Sequence, residues 1–223
     1  ISMSFEEIRI IFVVYTSALF PIFIISLYRK NPYQLSLIKL YIVCFLLCSL
    51  GWELWFTYGW FDGDPVDERR SHALNLAIPK HINWLMNSMG DAGTICIGGL
   101  WLTWFFSGRN LSIFETWNWK AFFILLAWCL GQNIYVEMFL YFDQLSIEKQ
   151  LSWAPLAPTG PWINPQLFYF NERTIMLQSQ IPWVIMSPIL YWLAIQTFKN
   201  NKINLLSHRE QSDAHQNQEM KTR

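Results

Sequence analysis

The chain has 223 residues, of which 53% are hydrophobic, 17% aromatic and only 14% charged. Soluble domains carry charge on about a quarter of their residues. The depletion here leaves windows of about 20 residues nearly free of Lys, Arg, Asp and Glu, which points to transmembrane helices and away from a soluble domain. Basic and acidic residues balance at 16 each, so no global charge favours nucleic acid or an acidic partner.

Five spans are predicted in chain order: about Ile8 to Tyr28, Leu35 to Phe61, His81 to Phe106, Trp119 to Phe142 and Glu172 to Phe198. At about 1.5 Å per residue each is long enough to cross a hydrocarbon core of roughly 30 Å. The first lacks a small-residue cleavage site and is followed by Arg29 and Lys30, which reads as a retained helix. The fold class expected is therefore all-α, an integral membrane five-helix bundle over residues 1–198. A polar, mobile C-terminal tail follows at 199–223.

Basic residues set the expected orientation. With the N-terminus outside, or luminal, the inner side holds Arg29, Lys30, Lys39, Arg109, Lys120, Lys199, Lys202, Arg209, Lys221 and Arg223. The outer side holds fewer: Arg9, Arg69, Arg70, Lys80, Lys149 and Arg173. The positive-inside rule then places the C-terminus in the cytoplasm. The membrane would be the endoplasmic reticulum in a eukaryote or the inner membrane in a bacterium. Two long loops share the outer side, 62–80 and 143–171. The second interleaves Pro155, Pro158, Pro161 and Pro165 with Trp153 and Trp162. Prolines stiffen it, as suits an interfacial anchor or a lid over a cavity.

Glu53, Asp91 and Glu137 fall inside spans, with no Lys or Arg at depth to pair with them. Intramembrane ionisable groups face a bundle interior or a wet cavity and mark function by default. Counted from the outer ends of their helices, they lie about 12, 15 and 8 Å deep. Similar depth on three helices suggests one polar pocket. A carboxylic acid kept neutral there is a general acid, able to protonate an alkene or epoxide of a lipid. Indole and phenol faces would stabilise the resulting cation. Trp52, Trp55, Tyr58, Trp84, Trp101 and Tyr135 are positioned for that or for interfacial belts. In the fifth span, Pro182 and Pro188 free carbonyls near Gln178 and Val184, and Gln178 and Gln180 add polar contacts. The glycine-rich stretch 90–99 suits close helix packing.

The four cysteines, Cys44, Cys48, Cys96 and Cys129, lie in apolar segments without metal-site spacing. The histidines have no second strong ligand nearby in sequence. No metal and no cofactor is expected, although three carboxylates could in principle hold a hard cation.

Four stretches resemble, in order, those of the emopamil-binding protein family of membrane sterol isomerases, which share the EXPERA domain. Ser49-Leu-Gly-Trp-Glu53-Leu-Trp55-Phe56 is similar to the family's His-x-x-x-Glu-x-Trp-Phe. Gly90-Asp91-x-x-Thr94-x-Cys96 is similar to its Gly-Asp-x-x-Thr-x-Cys. Gly131-Gln132-Asn133-Ile134-Tyr135, with Leu140-Tyr141-Phe142, is similar to Gly-Gln-Ile-Tyr and Leu-Tyr-Phe, and Gln180-x-x-Trp183 to Asn-x-x-Trp. The resemblance spans about two thirds of the chain. It implies a five-helix bundle around a lipophilic cavity, where an acid–base pair shifts a sterol double bond through a carbocation. Glu53 and Trp183 carry over. The family's His falls on Ser49, its second Glu on Gly98 and its Asn on Gln180, so its proton shuttle does not carry over whole. Around Trp52-Glu53 the chain also resembles membrane-bound terpene cyclases of meroterpenoid pathways.

The expected function is an isomerase or cyclase acting on a sterol or isoprenoid lipid. Glu53 is the expected acid, Asp91 and Glu137 are its modulators or the base, and Trp52, Trp55, Tyr58, Trp101, Tyr135, Gln180 and Trp183 line the substrate site. The competing expectations are a non-catalytic lipid binder, transporter or subunit of a membrane complex, and a cation-coupled carrier.

Overall fold

The computed structural model describes residues 3–59, 64–140, 162, 165–170 and 173–221. Helix α1, Phe5–Leu27, opens on a capping box. The Ser4 hydroxyl accepts from the Glu7 amide, and the Ser4 amide donates to the Glu7 carboxylate at 2.7 Å, which satisfies amides that have no partner in the first turn. Its buried stripe is Ile10, Val14, Ala18, Pro21 and Ile25, the one-turn spacing of a helix packed on one side. Phe12, Leu19, Phe20 and Phe23 stay exposed, as suits a face toward lipid.

The second predicted span is two helices, α2 (Gln34–Leu50) and α3 (Trp52–Tyr58), bent by 46° at Gly51. A Cβ on Gly51 would come within 2.5 Å of the Leu47 carbonyl oxygen, so a bend this tight needs glycine. Gly59, with φ of 69°, ends α3 in the left-handed conformation. Short helices α4 (Val66–Arg69) and α5 (His72–Ala77) form the described part of the first long loop.

The third predicted span is one continuous helical path from Lys80 to Phe106. It consists of α6 (Lys80–Ala92), a π-helical segment (Gly93–Gly99) and α7 (Leu100–Phe106). A 3₁₀ turn at Leu111–Phe114 leads to α8, Trp119–Tyr135, capped by the Asn118 side chain. A second π segment, Val136–Leu140, extends α8.

Among the described residues the all-helical expectation holds apart from one antiparallel hairpin of β1 (Gln166–Phe170) and β2 (Arg173–Met176). This moves the start of the fifth helix. A helix from Glu172 was expected, but aromatic and β-branched residues pair as strands there, and α9 begins at Leu177. Beyond residue 198, where a mobile tail was expected, the α9 backbone stays helical to Lys221. The proposed lid falls outside the described residues except at Trp162 and 165–170.

Among the described residues, three helical stretches are long and apolar enough to cross a membrane: Phe5–Leu27, Trp119–Leu140 and Leu177–Asn201. The bent α2–α3 pair makes a fourth if it is one span. The chain is thus a mostly helical membrane protein. Helix α6 packs against α1, α2 and α3, and α9 packs along α8 and α2. The main core joins Leu40, Cys44 and Cys48 of α2 to Ile95 and Cys96, to Leu125 and Cys129 of α8, and to Trp183, Leu190 and Tyr191 of α9. All four cysteines are free and buried.

Candidate functional site

Helix α8 buries Ala121, Leu125, Cys129 and Asn133, and the π segment continues the row with Glu137. This one row carries a carboxylate to the bundle interior. Helix α6 carries Asp91 one position before its last residue. The bend at Gly51 sets Glu53 in the first turn of α3. The three carboxylates line one cavity of about 200 Å³, walled also by Ser17, Trp52, Phe56, Asn87, Thr94, Trp128, Asn133, Ser179 and Trp183.

Within it, the Glu53 and Asp91 carboxyl groups lie within hydrogen-bond reach of each other. Neighbouring carboxyls titrate as a pair and not singly. The Trp52 indole N–H donates to Asp91 Oδ2 at 2.7 Å. Thr57 Oγ1 donates to Glu53 Oε2 at 3.4 Å. Across the cavity, Glu137 Oε2 accepts from Ser179 Oγ at 3.2 Å and from Gln180 Nε2 at 3.0 Å. Gln180 is held in turn by Asn133, whose Nδ2 donates to Gln180 Oε1 at 3.1 Å and to the Ser179 carbonyl at 3.2 Å. Gln180 thus fixes one Glu137 oxygen as an acceptor, with the Ser179 hydroxyl shared between it and the Met176 carbonyl.

The loop between α3 and α6 is tied to the site through Thr57. Asn83 Nδ2 donates to Thr57 Oγ1, and Arg70 donates to Asn83 Oδ1, to Asn75 Oδ1 and to the Ile78 carbonyl. A buried polar chain thus runs from Glu53 to the loop. Arg69 donates to the Phe56 carbonyl, with its guanidinium 4.6 Å from the Phe56 ring centroid. Burial, and then the neighbouring Arg70, push Arg69 down to about 10, so it remains cationic near neutral pH. At the loop's outer edge Lys80 meets Asp67 at 2.8 Å. Burial acts to raise the Asp67 carboxyl, but the hydrogen bond and charge of Lys80 hold it below the ordinary carboxylate value.

The residues expected to line the site divide. Trp52 and Trp183 face each other with ring centroids 4.8 Å apart and line the cavity. Tyr135 stands at its rim, 56% exposed. Gln180 acts through Glu137. Trp55 does not line the cavity. Tyr58 turns outward to His81 Nδ1 at 2.9 Å, and Trp101 is exposed and stacked on Phe105. Trp84 donates to the Ser49 carbonyl at 2.8 Å, which braces the carbonyl end of α2. The Val184 carbonyl freed by Pro188 accepts from Ser187 Oγ at 3.2 Å.

Ser17, Thr94, Trp128, Asn133 and Ser179 were not anticipated as site residues. Two had a signal: Thr94 stands in the Gly90–Cys96 stretch, and Asn133 lies one helical turn before Glu137. Among the described residues, no group of three or more His, Cys, Asp or Glu side chains is arranged to hold a metal ion.

A second, larger cavity of about 780 Å³ lies among Ile24, Ile25, Tyr28, Leu37, Ile97, Trp104, Phe114 and Phe198. It sits toward the end of the bundle where α1 ends and α2 begins. Comparisons with protein-family models, with curated proteins and with solved structures return no match.

Proposed function

We propose that this protein is a membrane-embedded isomerase or cyclase that protonates a double bond or epoxide of a sterol or isoprenoid lipid. The supporting observation is the Glu53–Asp91 carboxyl pair, which lines a cavity walled by the Trp52 and Trp183 rings. The pair delivers its proton to one alkene carbon, and the positive charge forms on the adjacent carbon. With an epoxide the proton goes to oxygen, the C–O bond breaks, and an internal alkene closes a ring onto the cation. Indole faces stabilise the cation without quenching it as water would. A carboxylate then removes a proton from a neighbouring carbon to give the product alkene. Glu137, held as an acceptor by Ser179 and Gln180, is the base in this scheme. No electrons are gained or lost.

The accompanying topology is five spans with the N-terminus outside and the C-terminus in the cytoplasm, which puts the carboxylates in the outer half of the membrane. The compartment is the endoplasmic reticulum in a eukaryote or the inner membrane in a bacterium. The test is turnover of candidate sterols and isoprenoid epoxides by the purified protein in lipid nanodiscs. Glu53→Gln is expected to lower the rate by about 10²–10⁴-fold, the usual share of general acid catalysis. An unchanged rate would overturn the assignment. The larger apolar cavity favours a second reading, a non-catalytic lipid carrier. Lipid that co-purifies and binds equally to wild type and Glu53→Gln, with no conversion, would support that one.

A further inference from the structure

The two cavities share three lining residues, Ser17, Thr94 and Trp128. They meet end to end along the bundle, the smaller polar and acidic, the larger almost wholly apolar. Trp128 stands between them, its orientation fixed by the indole N–H donating to the Thr94 carbonyl at 2.9 Å. That carbonyl belongs to the π segment, where the helical hydrogen-bond ladder is interrupted. Opposite the indole is Gly98, where a Cβ would sit 3.6 Å from Trp128. The larger cavity, about 780 Å³, falls within the roughly 300–1,000 Å³ that suits a ligand of several hundred daltons. The 200 Å³ acid cavity holds only a fragment of one.

We infer that the two cavities form one elongated site for a neutral isoprenoid lipid, with Trp128 and Gly98 setting how much hydrocarbon passes between them. The unsaturated or oxygenated end lies at Glu53 and Asp91, and the hydrocarbon body fills the chamber between α1, α2 and the π segment. This rests on the proposed function for the identity of the reacting end, but the chamber's role as a chain-length selector stands on geometry. Ile97 and Gly98 face the chamber from the π segment and Ile24 from α1. A larger side chain at Gly98 or Ile24 shortens the space without touching a carboxylate.

The experiment is native mass spectrometry of protein in nanodiscs loaded with geraniol, farnesol or geranylgeraniol. Variants are compared in the same nanodiscs, so partitioning of each probe into lipid cancels. Wild type is expected to hold geranylgeraniol at least as well as geraniol, because the larger cavity leaves room for its chain. Gly98→Leu is expected to cut geranylgeraniol occupancy at least tenfold and leave geraniol nearly unchanged, while Gly98→Ala behaves as wild type. Ile24→Trp narrows the chamber from the opposite wall and gives the same profile if Gly98→Leu does not fold. Identical chain-length profiles in wild type and the folded blocking variant would overturn the inference, as would occupancy by bulk phospholipid alone. Occupancy needs no turnover, so the two proposals fail separately. A chain-length effect without conversion removes the chemistry and leaves the site. Conversion without a chain-length effect does the reverse.

Discussion

At the scale of single residues, depth along the helices was legible and direction around them was not. Counting residues from the outer helix ends puts Glu53, Asp91 and Glu137 at one level, and the fold brings all three to one cavity. Trp55, Tyr58 and Trp101 were also expected in the site, yet Trp55 and Tyr58 do not line the acid cavity and Trp101 lines the larger one. The bend at Gly51 resets which side of α3 looks inward, and the Gly93–Gly99 π segment shifts every later residue of its path around the axis. Neither distortion has a strong sequence signal beyond its glycines. Trp52 carries a prediction because it acts on two groups at once. Trp52→Phe keeps a ring opposite Trp183 but removes the donor to Asp91. Hydrogen bonds to charged groups are worth about 1.5–3 kcal/mol, so kcat should fall roughly 10- to 150-fold with KM little changed. A KM effect alone would make Trp52 a wall and not a partner of the carboxyl pair. Gln180→Leu strips Glu137 and Asn133 of a shared partner. It should cost about 1–3 kcal/mol, read as a lower thermal midpoint in detergent.

At the scale of elements, glycine placement decides how closely the helices approach. A Cβ on Gly93 would lie 2.0 Å from Pro21 Cγ, whereas one on Gly131 meets nothing within 4 Å. Gly93→Ala must therefore push α1 away from the α6 path, at about 1–3 kcal/mol. Gly131→Ala, on an open face of α8, should be neutral or stabilise by up to ~1 kcal/mol through helix propensity. Thermal unfolding of the two variants side by side checks this, and equal effects would refute the close approach. The expectation that the 90–99 stretch serves packing was sound because small residues at helical spacing have one common use. The hairpin at 166–176 was missed because Arg173–Met176 reads equally as the start of an apolar helix. The loop between α3 and α6 also has a pH dependence. Asp67 is held below its usual value by Lys80, so the pair's contribution is full above the ordinary carboxylate pKa. It is lost as pH falls through the lowered one, below about 4. Proteolysis of the 64–80 segment should rise in acid in the wild type, and Asp67→Asn should flatten that rise.

At the scale of the whole molecule, the question is whether the Lys80–Phe106 path crosses the membrane. Its outer half carries Asn83, Asn87, Ser88 and Asp91, all but Asp91 buried, so it falls outside the helices that length and composition alone identify as spans. Its polar residues face the bundle, where Asn83 bonds Thr57 and Asp91 meets Trp52, which is how intramembrane polar groups are tolerated. A path of this length, at 1.5 Å per residue, exceeds the roughly 30 Å hydrocarbon core. If it crosses, exposed Glu68 and exposed Glu115 lie on opposite sides of the membrane; if it does not, they lie on the same side. The four native cysteines are free and buried, so they give little background to a membrane-impermeant maleimide. Glu68→Cys and Glu115→Cys, labelled separately in sealed vesicles of known orientation, should react from opposite sides, Glu68→Cys from outside. Labelling of both from one side would remove the third span, and with it the placement of Asp91 and Glu53 in the membrane's outer half. Opposite sides with Glu115→Cys outermost would keep the five spans and invert the protein.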